Sequence, residues 1–422
     1  MPEITSLLFN ALLYLSLFLF TIKKNKNVNV ISLILLLYFI ISLGSVILFS
    51  TGIYDITRCE YKVHNVTFSS LLYILIGFLI LLYPIHHFHF KKVSHISFPP
   101  IIQTKIFTYI YVFISLAAIS VCIPLLAKTN ELYNIQNAST VFMDRSSGNV
   151  KLFSEWQERF LTYQAFLKYV GILLMFYYIS FFPDKKKIII LLSICSIVPP
   201  LIQAIFNVSR GGMIFYVLDF LLAYVIFYRF IKKEYKNRIN KIFIILIILM
   251  VSLFTIISIS RFSEGDGGAF FSVITYLGES YLDFSCSIWN SVIHHTNGSY
   301  NFPFLSSLLG QSIHTASKID RFDYFYYHTG VPVSLFNPVP GNFYVEFGKI
   351  GGLIFCFIYG MLGIFFYRAK QKISFNKLIM FYVYSDMCLR GIFGYCMPEP
   401  ELFFNIIFYF LFSKKIKIIK YK

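Results

Sequence analysis

The sequence predicts an all-α, polytopic integral membrane protein of about eleven transmembrane helices, organised as one domain over residues 1–422. Three observations predict it. Charged residues make up only 14% of the chain and mean hydropathy is +0.69, where a soluble domain carries about 25% charged residues. Apolar runs recur at about 4–22, 28–50, 67–85, 106–127, 159–182, 187–206, 211–231, 240–259, 342–367, 376–395 and 401–413. Most of these approach the roughly 20 residues that a bilayer-crossing helix needs. Basic residues also concentrate in every second connection between the runs.

Each run is expected to be helical, because a backbone in lipid has to satisfy its own hydrogen bonds. The first run is not read as a cleavable signal, since Glu3 precedes it and Lys23, Lys24 and Lys26 follow it, the reverse of a signal's polarity. The last run is short and is expected to extend into its basic flank by snorkelling. One set of connections, together with the C-terminal tail, holds 24 of the 37 Lys and Arg, against Asp184 and Glu234 as its acidic residues. That alternation predicts an outer N-terminus, a cytoplasmic C-terminus and an odd number of spans. It also explains the net charge of +17 without a nucleic-acid partner.

Two long connections, 128–158 and 260–341, then face outward, the second between helices 8 and 9. Extramembrane chemistry is expected in the 260–341 loop, which carries acidic residues, histidines and aromatics and closes on Asn337-Pro338-Val339-Pro340-Gly341. The seven cysteines show neither a CxxC nor a regular spacing, so neither a zinc site nor a disulfide framework is implied. His86, His87 and His89 lie beside Lys91 and Lys92 and read as an interfacial basic loop rather than a metal cluster. Gly265-Asp266-Gly267-Gly268 reads as a turn. Walker A, dinucleotide-binding, HExxH and GxSxG patterns are absent. The connection 51–66 lacks a paired acidic motif, which argues for metal-independent chemistry with no cofactor.

Four arginines fall at the outer side. Arg210 sits in the short turn Asn207-Val208-Ser209-Arg210-Gly211-Gly212, Arg261 at the outer end of span eight, Arg321 in the large loop and Arg390 towards the outer end of span ten. Guanidinium forks match phosphate oxygens in geometry and charge, so these are candidate ligands for a lipid diphosphate. The glycines after Arg210 would let backbone approach a ligand closely. Asp386 and Arg390 are four residues apart and could instead neutralise each other on one helix. A general base for a sugar hydroxyl is sought among His314 and His328, with Glu279, Asp283 and Glu346 as further carboxylate candidates. Lys168 and Asp219 fall inside apolar runs; they are expected either to pair or to form an ion path.

Two segments resemble the bacterial oligosaccharide repeat-unit polymerases, the O-antigen (Wzy-type) polymerase family. Ser209-Arg210-Gly211-Gly212 is similar to a Ser-Arg-Gly element that these polymerases share with O-antigen ligases. Asn342 to Gly352, with Tyr344, Phe347, Gly348 and Gly351, resembles the Tyr-x-x-Phe-Gly-x-x-Gly start of the helix after the large loop. The eleven-span layout resembles the family as a whole. The resemblance implies a GT-C-like, inverting, metal-independent glycosyltransferase in the bacterial inner membrane. Its expected partners are undecaprenyl-diphosphate-linked oligosaccharides as donor and acceptor, membrane lipids and a chain-length regulator. Arg210 and Arg261 would stabilise the diphosphate leaving group, with His314 orienting or deprotonating the attacking hydroxyl. Arg321, Arg390, Glu279, Glu346, His328 and Tyr344 would contact substrate, and Tyr276, Tyr281, Tyr324, Phe325, Tyr326 and Tyr327 would stack on sugars. An O-antigen ligase, a lipid-linked oligosaccharide flippase or proton-coupled carrier, and a membrane acyltransferase stay open as alternatives.

Overall fold

The computed structural model describes residues 2–25, 28–88, 93, 95–99, 101–126, 154–206, 210–262, 268–310, 318–367, 372–394 and 399–413. Helices dominate them. In chain order they begin with α1 (Pro2–Asn25), α2 (Val30–Ser50), the short α3 (Ile53–Arg58), α4 (Phe68–His87) and α5 (Ile101–Leu126). There follow α6 (Glu155–Phe181), α7 (Lys186–Phe206), α8 (Arg210–Phe227) and α9 (Lys233–Phe262). Among the described residues, nine helices are long and apolar enough to cross a membrane: α1, α2, α4 to α9, and a later helix, Val339–Tyr367. The chain is therefore an all-α polytopic membrane protein.

Local chemistry starts these helices where the sequence changes character. At α2, the Asn29 side chain accepts the Ser32 N–H at 2.9 Å and Ser32 Oγ accepts the Asn29 N–H at 2.7 Å, a reciprocal cap worth about 1 kcal/mol. Thr67 caps α4 through the Ser70 N–H.

The segment expected as one large loop contains a buried helix, α10 (Gly268–Asp283), followed by a wider π-helical turn, Phe284–Ile288. α10 lies against α2 where Gly44 meets Gly278; a methyl group on Gly278 would come within 2.5 Å of the Gly44 carbonyl oxygen. Two short helices, α11 (Pro303–Leu308) and α12 (Lys318–Thr329), follow, and then α13 (Val339–Tyr367).

The tenth expected span is shorter than its run of 376–395, and the eleventh, expected to be short, slightly exceeds its run of 401–413. α14 (Phe375–Arg390) has 16 residues and α15 (Glu399–Ser413) has 15, about 22–24 Å at the helical rise against a hydrocarbon core of about 30 Å. The apolar run containing α14 continues past Arg390, but its end is used in a turn: the Gly391 carbonyl accepts the Val339 N–H at 2.7 Å, joining the end of α14 to the start of α13. α14 is the central helix. Every residue from Phe375 to Arg390 except Lys377 is buried, so it touches protein on all sides instead of lipid. Tyr38 from α2 donates to the Cys388 carbonyl, and Tyr384 donates to the Leu81 carbonyl in α4. On the opposite side of the bundle from Arg390, β1 (His95–Ser97) pairs in parallel with β2 (Lys372–Ser374), with His95 opposite Lys372.

Candidate functional site

The end of the bundle that carries Arg210 is bridged by α10. At its start, the Arg210 guanidinium donates to Ser272 Oγ at 2.7 Å and reaches Ser258 Oγ in α9 at 3.5 Å. At its finish, Tyr54 donates to Asp283 at 3.1 Å, and the π-helical turn accepts the Val63 and His64 N–H groups at the Cys286 carbonyl. Ser285 Oγ accepts the Thr67 N–H and contacts Ser70 Oγ at the start of α4. A single amphipathic helix thus ties the ends of α8 and α9 to those of α2 and α4. Ser272 and Asp283 make these ties, and such polar residues are why hydropathy alone reads the helix as loop.

Arg210 opens α8 and is half-buried. Its charge lies over two aromatic faces, 5.3 Å from the Tyr276 ring centre and 5.6 Å from that of Phe254, an arrangement that holds a guanidinium by cation–π attraction. Gly211 serves the same seat: a methyl group there would come within 2.6 Å of the Tyr276 hydroxyl. The close approach expected of this glycine is therefore made by Tyr276. Tyr276 in turn packs against Phe336 and Phe393 at ring-centre distances of 4.9 and 5.9 Å, and Phe393 meets Phe215 at 5.5 Å. This aromatic wall runs inward from Arg210 to Arg390, whose guanidinium is 5.5 Å from the Phe215 ring centre. Glu279 lies one helical turn beyond Tyr276 on α10 and is buried.

Arg390 does not stand at the surface. It is buried at the end of α14, where its Nε donates to Asp386 at 2.9 Å and its Nη2 lies 2.9 Å from Asp219 on α8. Nη2 also donates to the Tyr169 hydroxyl at 2.7 Å, and that hydroxyl donates to Asp386 at 2.6 Å. Lys168 stands 3.9 Å from the second Asp219 oxygen. Two cations and two carboxylates from α6, α8 and α14 form one formally neutral cluster. Asp386 with Arg390 and Lys168 with Asp219, each one of two readings open from the sequence, are both paired in it.

Tyr344 and Glu346 anchor the loop that follows α10. The Tyr344 hydroxyl accepts the Asn290 N–H at 3.0 Å, and its ring packs among Tyr73, Phe284 and Trp289. The buried Glu346 carboxylate accepts the Gly298 N–H at 2.6 Å, the Asn301 N–H at 2.6 Å and the Thr296 hydroxyl. Gly348 follows at φ +76°, a left-handed conformation that favours glycine, and breaks the helix so that residues 342–347 can face this loop. The segment that resembles a polymerase motif is thus a clamp between α13 and residues 290–301. Glu346→Ala is expected to cost about 3 kcal/mol, because it leaves two buried N–H groups without their acceptor. The check is a lower melting temperature together with faster limited proteolysis between residues 290 and 310; unchanged cleavage would refute the clamp.

The remaining candidates are spread over the same end of the molecule. Arg321 on α12 donates to the Tyr300 carbonyl and lies over the Tyr300 and Phe325 rings. The exposed His328 ring is 5.8 Å from that of His294 and stacks on Tyr324. Of the aromatics expected to face sugars, Tyr276, Tyr281 and Phe325 are buried, whereas Tyr324, Tyr326 and Tyr327 are exposed. His314 and most of the 128–158 connection lie outside the described residues. Arg261 belongs to the last turn of α9, but its side chain lies outside them too. Among the described residues there is no group of three or more His, Cys, Asp or Glu side chains placed to hold a metal ion. Tyr169 and Tyr382, which brace the ion cluster by bonds to Asp386 and to the Asp219 carbonyl, escaped the sequence reading because a tyrosine in an apolar run carries no distinguishing pattern.

No family model matches the chain, and neither a curated protein nor a solved structure does.

Proposed function

We propose that the chain is an oligosaccharide repeat-unit polymerase: a GT-C-like glycosyltransferase of the bacterial inner membrane acting on undecaprenyl-diphosphate-linked glycans. Its N-terminus would be periplasmic and its C-terminus cytoplasmic. The observation that carries the reading is the seat of Arg210. This guanidinium lies at a helix start and at one end of the bundle, half-buried, with hydroxyls and aromatic faces among its partners. Such surroundings fix the direction of the fork at the end of the bundle, and a preorganised fork is what recognition of a diphosphate requires. Arg390 is instead buried inside the bundle, where it is matched to two carboxylates. The resemblance of Ser209–Gly212 and of Asn342–Gly352 supplies the glycan chemistry.

In this reading the acceptor sugar hydroxyl attacks the anomeric carbon of the donor glycan. A carbon–oxygen bond forms, the bond to the lipid diphosphate breaks, and the hydroxyl proton passes to a base, for which His314 is the candidate. The diphosphate leaves with its negative charge spread against Arg210 and Arg261. The intramembrane charges that would serve a transporter, Lys168 and Asp219, share one closed cluster with Asp386 and Arg390, which favours an enzyme over a carrier.

Purified protein in nanodiscs, given only lipid-linked repeat units, is expected to produce a glycan ladder that survives EDTA. Transfer that appears only after lipid A core is added would replace the polymerase reading with a ligase. Neither product from well-folded protein would refute both.

A further inference from the structure

At the end of the bundle opposite Arg210, two connections join into one basic surface. α8 starts at Arg210 and finishes at Phe227, and the turn after it carries Arg229, Lys232, Lys233, Lys236, Arg238 and Lys241. The α6–α7 turn adds Lys185–Lys187. The two turns are held together by Phe181 and Phe230, whose ring centres are 5.7 Å apart, and the second is pinned by the buried Ile231 and Ile239. Against these nine cations stand Asp184 and Glu234. Such an excess could mark only topology. The local geometry adds two further facts.

First, two of the cations, Lys236 and Arg238, lie over aromatic rings that orient them. Lys236 Nζ lies 4.0 Å from the Tyr228 ring centre and the Arg238 guanidinium 5.8 Å from that of Tyr235. The Tyr224 hydroxyl donates to Asn240 at 2.7 Å, fixing the first turns of α9 against α8. Second, among the described spanning helices α9 is the least buried within the protein. Only 18% of its apolar window is buried within the protein, and isoleucines such as Ile244, Ile245 and Ile248 point outward. The basic turn therefore adjoins an apolar helix face that the protein itself leaves uncovered.

We propose that the α6–α7 and α8–α9 turns form a binding site for an anionic glycerophospholipid, its head-group phosphate on the lysines and arginines and its acyl chains along α9. The chemistry is phosphate recognition by ordered cations at a membrane surface, and the adjoining apolar helix selects a lipid over a free phosphate. The site is separate from the Arg210 seat and does not depend on the polymerase reading.

The test uses the full chain in detergent, with lipid retention followed by native mass spectrometry on titration with phosphatidylglycerol or phosphatidylcholine. Wild type is expected to retain phosphatidylglycerol preferentially. The variant K232Q/K233Q/K236Q/R238Q should lose that retention by about tenfold or more. A matched variant with the same number of charges removed on the same side, K23Q/K24Q/K105Q/K372Q, should keep it. Three results would overturn the site: equal retention of the two lipids, equal loss in both variants, or displacement of the lipid by inorganic phosphate or glycerol phosphate at matched concentration. The last would make the ligand a free phosphate. Melting temperatures of both variants should stay near wild type, because apart from the half-buried Lys236 the substituted side chains of the first variant are exposed.

Discussion

Replacing Arg390 by methionine is expected to destabilise the protein by about 3–5 kcal/mol, the penalty for leaving buried carboxylates without their cation. Arg390 holds Asp386 on its own helix and Asp219 on α8, and it also donates to Tyr169 on α6. Its removal would leave two carboxylates within a few ångströms of each other, with Lys168 at 3.9 Å from Asp219 as the cation that remains to them in the cluster. Either one Asp takes up a proton or the three helices separate; both outcomes cost stability. The check is thermal unfolding in a fixed detergent, followed by a buried-cysteine probe such as Cys388, which lies two residues from Arg390 and is buried. The physical cause is isolated by the quadruple variant Lys168→Met, Asp219→Asn, Asp386→Asn, Arg390→Met. It removes all four charges together and should recover most of the loss, because a buried ion pair is worth little against a neutral replacement of similar volume. If Arg390→Met unfolds together with the wild type, the cluster is not what fixes α14.

Arg210→Ala is expected to lower the initial rate of glycan ladder formation by about 10²–10³-fold, the usual loss when one preorganised donor to a developing negative charge is removed. The fold should tolerate the change. Ser258 Oγ already donates to the Phe254 carbonyl at 2.8 Å, and the rings that flank Arg210 keep their own aromatic neighbours. Arg210→Lys should restore only part of the rate, since an ammonium supplies the charge but not the planar fork. The variants are compared at matched melting temperature and at saturating lipid-linked substrate, so that a drop in turnover separates from a drop in binding. A wild-type rate in Arg210→Ala would remove the diphosphate role from this residue. A loss of rate accompanied by unfolding would make Arg210 a packing residue of the α8–α9–α10 junction.

Arg210 and Arg390 look alike in the sequence, both arginines near the outer ends of apolar runs. Their different surroundings could not be read there. Asp386, four residues before Arg390, was a visible partner on helical spacing; Asp219 was visible as a costly intramembrane charge, with Lys168 the available cation. That these four groups converge depends on how α6, α8 and α14 pack. The same applies to Glu346. As a sequence position it is a carboxylate beside a glycine motif, and its three donors lie 45–50 residues earlier in the chain. α10 was hidden for another reason: it is too short and too polar to register as a span, and the partners of Ser272 and Asp283 come from α8 and α3.

What the sequence determined by itself is the helical, membrane-spanning class and the order of its long helices. Lipid offers no hydrogen bonds, so an apolar run of sufficient length has one solution, and that constraint is local. What only the tertiary structure decided is the fate of the polar minority. Each charged or hydroxyl group in an apolar setting needs a partner, and the partner is chosen by helix packing over distances of tens to hundreds of residues. By that choice Arg390, Glu346 and Tyr344 became fastenings of the fold, whereas Arg210 stands at the end of the bundle with hydroxyls and rings among its partners.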